Sequence, residues 1–82
     1  MLKLFRLSQS ENNNYDTYDS CIVCAENEED AKTIDPNGGE FKPYSGGWGD
    51  WALTKEGIKW EEIGIANENQ ERGVILASFN AG

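Results

Sequence analysis

The stretch TYDSCIVCAENEEDAKTIDP, residues 17–36, passes from strand-forming to helix-forming chemistry within twenty positions. Its first part, 17–25, is rich in β-branched and aromatic side chains and predicts a strand. Asn27 is then a good helix N-cap, and Asp30 stands three residues later in a position like that of a capping box. Pro36 ends the helix, because the residue before a proline avoids the α region. A strand followed at once by a short helix is therefore the starting point of the fold.

The predicted helix has an acidic first turn and one apolar face. Glu28 and Glu29 lie in its first turn, where the helix dipole favours negative charge. Ala31 and Ile34 form a narrow apolar face at a spacing of three residues. A helix of about two turns is not stable alone in water, so this face must rest on a sheet.

Three further segments predict strands, and a fourth predicts a shorter one. LKLFRLSQ (2–9) is apolar or long-stemmed on both faces and would form an antiparallel hairpin with 17–25. IKWEEIGIA (58–66) and VILASF (74–79) predict a second hairpin across a polar connection, and DWAL (50–53) a short fifth strand.

These elements predict one α+β domain over residues 1–82. Its architecture is an antiparallel-type sheet of four to five strands with one short helix, in the order ββ-α-ββ. Residues 2–8 and 74–79 are apolar on both faces and are expected at the centre of the sheet. Residues 17–25 and 58–66 carry more charge and are expected at its edges.

The charge balance excludes some partners and favours one class. Fifteen acidic residues against seven basic ones give a formal net charge of −8. Such a chain has no basic stripe to displace counterions from nucleic acid, and it is repelled by an anionic membrane. A protein with a basic surface is the favoured partner, unless the acidity serves only solubility.

The amino-terminal stretch MLKLFRLSQS gives no sign of export. Lys3 and Arg6 interrupt its apolar run, so there is no continuous apolar segment of the signal-peptide kind. With only two cysteines in the chain, the expected location is the cytoplasm, with reduced thiols.

The CxxC spacing of Cys21 and Cys24 resembles a redox or zinc motif, but its context argues against both. Ile22 and Val23 lie between the two cysteines and favour a strand, in which positions three apart point to opposite faces. The thiols could then share neither a disulfide nor a metal ion. Buried structural cysteines are the expected outcome.

The rest of the sequence gives little support for a metal site or for catalysis. A calcium loop would draw on oxygen donors near residue 12, but their order lacks the glycine and the ligand spacing of known loops; the donors considered were Glu11, Asn12, Asn14, Asp16 and Asp19. The chain contains no histidine, so a Ser or Cys nucleophile would lack its commonest base. We expect no metal, no cofactor and no enzymatic activity.

Two segments have the composition of contact surfaces. YDTYD (15–19) combines aromatic area with acidic charge, which suits an Arg- or Lys-bearing partner. DPNGGEFKPYSGGWGDW (35–51) places bulky aromatics on a glycine-rich loop. The predicted partner-binding residues are Tyr15, Asp16, Tyr18, Asp19, Tyr44, Trp48, Asp50 and Trp51. The alternative for the aromatics of both segments is a role in the core: Tyr15 and Tyr18 would pack there, and those of the second segment would fold back on it as a lid.

The blocks YDTYDS and AENEEDA and the closing GVILASFNAG resemble a family of small uncharacterised proteins from bacteriophages and prophages. The similarity would cover nearly the whole chain. The family carries no settled activity, so it implies a biological context rather than a chemistry. Its members often have a histidine before the proline that ends the helix, and here that place holds Asp35.

The phage context implies a protein that binds and blocks a host or defence protein, of the anti-CRISPR or anti-restriction class. Two alternatives come from other classes. One is a small-ligand or nucleotide-binding module, with Trp48 or Trp51 stacking on a base. The other is a phage assembly component that self-associates through an exposed edge strand, which would make the protein a homo-oligomer.

Overall fold

The computed structural model describes residues 1–12, 17–41, 51–52 and 54–80. Its elements follow the predicted order: β1 (Lys3–Ser8), β2 (Thr17–Ala25), α1 (Glu28–Lys32), β3 (Lys59–Ile65) and β4 (Gly73–Asn80). The α+β class, with a four-stranded antiparallel sheet and one short helix, is confirmed. Trp51 and Ala52, the described part of the predicted fifth strand, belong to no strand.

The strands lie in the order β3-β1-β2-β4, and each pairs antiparallel with its neighbours. The predicted hairpin between β1 and β2 is confirmed, with Lys3 opposite Ala25 and Ser8 opposite Ser20. The predicted second hairpin is wrong, because β3 pairs with β1 while β4 pairs with β2 on the far side. The central position expected for β4 and the edge position expected for β2 are therefore wrong as well.

Charge complementarity explains why β3 joins β1. Lys3 contacts Glu62 across 3.4 Å, and Arg6 contacts Glu61 across 3.8 Å. Strand β4 has no charged side chain to match those of β1, and it pairs with the uncharged segment that follows Asp19 in β2. Opposite charges across a strand pair stabilise that pairing over its alternatives.

The core lies on one face of the sheet. Phe5 is paired with Val23 and Leu7 with Cys21, and all four side chains point to the same side. Ala31 and Ile34 cover this face, as their spacing predicted. The remaining buried apolar side chains come from the end of β2 and from the segment before β3; they are Ala25, Trp51, Ala52 and Ile58.

The helix α1 begins as its sequence predicts. The Asn27 side chain accepts a hydrogen bond from the backbone N–H of Asp30 at 2.8 Å. Asp30 in turn accepts from the backbone N–H of Glu26, one residue before the cap. Within the part of the chain that the structure describes, no helix has the length and apolarity needed to cross a membrane.

Arg72 ties the connection between β3 and β4 to the start of α1. Its Nε and Nη2 atoms donate to the carboxylate of Asp30 at 2.8–3.0 Å, and Nη2 also donates to the Thr33 hydroxyl. These hydrogen bonds lower the pKa of Asp30 below its ordinary value of 3.8, and the backbone N–H of Glu26 adds to the effect. The connection is thereby held beneath the helix.

We expect Arg72→Ala to lower the free energy of unfolding by about 1 kcal/mol at pH 7, because solvent screens this pair in part. The pKa of Asp30 is lower in the folded state, so its contribution is present above pH 3.8 and is lost as the pH falls through the folded value. Urea unfolding of the two proteins should therefore converge at acid pH. Lys3→Ala, which removes a single contact at 3.4 Å, is the control and should cost less. An Arg72→Ala deficit that persists unchanged at acid pH would contradict this account.

Candidate functional site

The predicted contact segment YDTYD enters β2 at the end of the sheet where β1 finishes, and a buried glutamine shapes that end. The Gln9 side chain makes both backbone hydrogen bonds of Asn12, donating to its carbonyl at 2.9 Å and accepting from its N–H at 2.8 Å. Its amide nitrogen also donates to the Tyr18 carbonyl at 2.8 Å. One side chain thus joins both ends of the connection between β1 and β2.

Asn12 extends this buried polar cluster to a distant part of the chain. Its side-chain amide donates to the carbonyl of Trp51 at 3.1 Å. Trp51 exposes 2 % of its surface and belongs to the core. Its indole Nε1 is buried with no acceptor among the described residues. Trp51 therefore packs in the core, which was the alternative to a contact role, and it offers no exposed surface to a partner.

Glu11 makes a second long-range contact beside this cluster. Its carboxylate accepts from the backbone N–H of Thr54 at 3.2 Å and lies against Gly57, where a Cβ atom would collide with it. Asn12 is likewise engaged with Trp51, so two of the five donors considered for calcium serve the fold; Asn14 and Asp16 lie outside the described residues. Across the described ranges, no group of three His, Cys, Asp or Glu side chains could hold a metal ion.

Tyr18 and Asp19 are the predicted contact residues that the structure describes at the start of β2. Tyr18 is half-buried, and its ring lies 4.8 Å from that of Phe79 on β4. The pairing skips Asp19, since Tyr18 faces Phe79 and Ser20 faces Ser78. Asp19 is therefore the extra residue of a β-bulge, and its side chain is exposed. The bulge sets an exposed acidic group beside an aromatic pair, in which Phe79 is exposed while Tyr18 packs in part against the core.

The other predicted contact residues lie outside the described part of the chain; they are Tyr15, Asp16, Tyr44, Trp48 and Asp50. Their contact role stays a prediction. Phe79 was absent from the prediction and joins Tyr18 only through the β2–β4 pairing. The apolar composition of 74–79 predicts a central strand, whereas the structure places this segment at the edge of the sheet.

The outer strand β4 carries exposed apolar side chains. Ile75, Leu76 and Phe79 each leave more than two fifths of their surface in solvent. Val74 and Ala77, by contrast, pack against the core. Because β4 lies at the edge of the sheet and not at its centre, part of its apolar surface stays exposed.

The two cysteines are free and buried in β2. Cys21 faces the core beside Val23, while Cys24 lies three residues on and faces the other side of the sheet. Burial raises the pKa of Cys21 to about 12, and the nearby charge of Asp35 adds to this. Burial also raises the pKa of Cys24. The expectation that these thiols share no bond is confirmed.

The acidic start of α1 serves the helix and also presents charge to solvent. Asp30 is bound by Arg72 and caps the approach to the helix. Glu26 and Glu29 are exposed, and Glu28 is half-exposed. The acidic groups of the described chain are thus spread over α1, β3 and the turns, and they form no regular array.

A shallow groove of about 190 Å³ lies on the β1–β3 side of the sheet. Arg6, Ser8, Lys59, Trp60 and Glu61 line it. Its volume is below the range of about 300–1,000 Å³ that is usual for small-molecule sites. Arg6 is also engaged there with Glu61.

Comparisons of the chain with protein-family models, with characterised proteins and with solved structures gave no significant match. The resemblance to phage proteins therefore stays a prediction, and the functional argument rests on the residues.

Gln9→Ala should lower the free energy of unfolding by about 2–3 kcal/mol, because it strips buried partners from Asn12 and Tyr18. Denaturant unfolding followed by tryptophan fluorescence measures the loss. Gln70→Ala is the matched control, since Gln70 is exposed and makes one long hydrogen bond of 3.4 Å. Equal effects of the two substitutions would show that the buried cluster does not hold the loop end.

Neither thiol should react with dithiobis(nitrobenzoate) at pH 8 while the protein is folded. Both sulfur atoms are buried, and the pKa of about 12 at Cys21 leaves almost no thiolate. Addition of urea should release both thiols to the reagent. Glu68→Cys, which puts a thiol in an exposed turn, is the positive control and should add one fast-reacting group. Fast reaction of the folded wild type would contradict the buried assignment.

Proposed function

We propose that this chain is a small acidic binding protein of the phage type, which inhibits or modulates a host or defence protein without catalysis. The observation that carries the proposal is the surface at the start of β2, formed by exposed Asp19 and the Tyr18–Phe79 pair. Aromatic side chains supply much of the binding energy at protein interfaces, and a neighbouring carboxylate selects a basic partner. We refer to these three residues as the β2 contact surface.

The placement of the remaining charges favours specific recognition over imitation of DNA. A DNA mimic needs carboxylates repeated at the spacing of phosphates. Here Asp30 is committed to Arg72, and Glu61 and Glu62 face basic residues of β1. The net charge of −8 then acts by steering a basic partner toward the molecule.

The biological setting of the proposal comes from the predicted resemblance alone. A phage protein of the anti-CRISPR or anti-restriction class would work in the cytosol of the host cell. Its partner would be a protein with a basic surface, and neither nucleic acid nor a membrane is the expected target. Tyr15 and Asp16, which precede β2 in the chain, would extend the β2 contact surface.

The small-ligand alternative draws less support from the described residues. Trp51, one of the two side chains proposed to stack on a base, is buried in the core. The groove at Trp60 is small, and Arg6, one of the two basic residues that line it, is already paired with Glu61.

Asp19→Arg should weaken capture of the partner from bacterial lysate about tenfold, because a like charge then faces its basic surface. The measurement compares proteins retained at low salt by immobilised wild type and variant. Glu68→Arg is the matched control, since it raises the net charge by the same two units at an exposed turn outside the β2 contact surface.

A partner retained by wild type and Glu68→Arg but not by Asp19→Arg supports the proposed surface. If both variants retain equally little of the partner, overall charge explains the weaker binding, and the β2 contact surface is not the binding site. If wild type retains no protein, the binding function itself fails and the ligand and assembly alternatives take its place.

A further inference from the structure

The outer edge of β4 has no strand partner among the described residues. Strand β2 occupies its inner edge, and the sheet ends there. Every second residue of an edge strand turns its N–H and C=O groups outward, away from the sheet. These groups bind a second extended strand, so the edge specifies the backbone geometry of whatever covers it.

The two edges of the sheet differ in chemistry. Strand β3 carries Lys59, Glu61 and Glu62, and a bulge interrupts its pairing with β1. Charges and bulges of this kind protect an edge from pairing with another chain. The eight residues of β4, Gly73–Asn80, contain neither a charge nor a proline, although its pairing with β2 also shifts register at Ile75. The two edges therefore differ in charge, and only the β3 edge carries charged side chains.

We propose that β4 pairs antiparallel with β4 of a second copy of this chain, which joins the two sheets into one of eight strands. A two-fold axis that passes beside Leu76 sets this residue opposite its own counterpart, since symmetry pairs the residues at equal distances on either side of the axis. The exposed side chain of Leu76 would then meet its counterpart in the second copy, with exposed Ile75 beside this contact. This association does not rest on the proposed binding of a host protein, although Phe79 of β4 belongs to the β2 contact surface as well.

Charge explains why a second copy suits this edge despite the net charge of −8. Pairing β4 with itself places no charged side chains opposite one another. The acidic pair Glu61 and Glu62 lies on β3, three strand spacings or about 14 Å from β4. That distance exceeds the screening length of about 8 Å at physiological salt. An isologous contact also needs only one self-complementary surface, and an uncharged antiparallel strand provides it.

Sedimentation of wild type over about 1 µM to 1 mM tests the proposal, and we expect a monomer–dimer equilibrium. Leu76→Lys should raise the dissociation constant at least about tenfold, because two like charges then meet near the two-fold axis. Leu76 is 64 % exposed, so its fold should survive, which circular dichroism checks. Ile65→Lys is the matched control on the β3 edge, where Ile65 is 63 % exposed, and it should leave the dimer intact.

Mixing Leu76→Lys with Leu76→Glu provides a second readout, since each alone should be monomeric and the mixture should dimerise. Amides of β4 should also exchange more slowly at high wild-type concentration than at low. A wild type that stays monomeric throughout the range overturns the proposal and leaves the edge to a foreign strand. A dimer that survives Leu76→Lys, or is lost only with Ile65→Lys, overturns it as well.

Discussion

The register between β1 and β2 is the constraint on which the other contacts depend. It sets Phe5 opposite Val23 and Leu7 opposite Cys21, so four apolar side chains point to one side of the sheet. A slip of β2 by one residue would turn Cys21 and Val23 to the opposite face from Phe5 and Leu7. With this register, α1 follows β2 directly and packs on the apolar face of the hairpin. Both outer edges of the hairpin stay available for β3 and β4. Gln9 reinforces the pairing at the loop end, where it holds Asn12 and the Tyr18 carbonyl.

Charged pairs add specificity to the choice of strand neighbours. Each exposed ion pair contributes only about 0–1 kcal/mol, which is little beside the core. The pairs of β1 with Glu61 and Glu62 nevertheless favour one neighbour for β3 and leave β4 to an uncharged strand. Arg72 contributes in another way, since its hydrogen bonds to Asp30 hold the β3–β4 connection against the helix. Even weak interactions bias the strand order in this way, because an apolar strand pattern alone does not specify its neighbour.

The same topology determines which surfaces are available for binding. Placing β2 at the centre brings Tyr18 beside Phe79 and forms the bulge that exposes Asp19. Placing β4 at the edge uncovers Ile75 and Leu76 along a strand without charges. The acidic residues elsewhere are engaged by Arg72 and by β1, or are spread over separate elements. One end of β2 is therefore suited to a basic protein partner, while the edge of β4 is suited to a strand.

Features that depend on neighbours in the chain were predictable. Asn27 caps the helix, Ala31 and Ile34 face the core, and the strand geometry of Ile22 and Val23 separates Cys21 from Cys24, because capping, helical periodicity and strand alternation act over a few residues. Partner choice between strands acts over tens of residues, and an apolar run such as that of β4 suits a central and an edge strand equally well. No local pattern therefore predicts the strand order, the burial of Trp51 or the Tyr18–Phe79 contact. They depend on which segments meet in space, and pairing with β1 and β2 decides that.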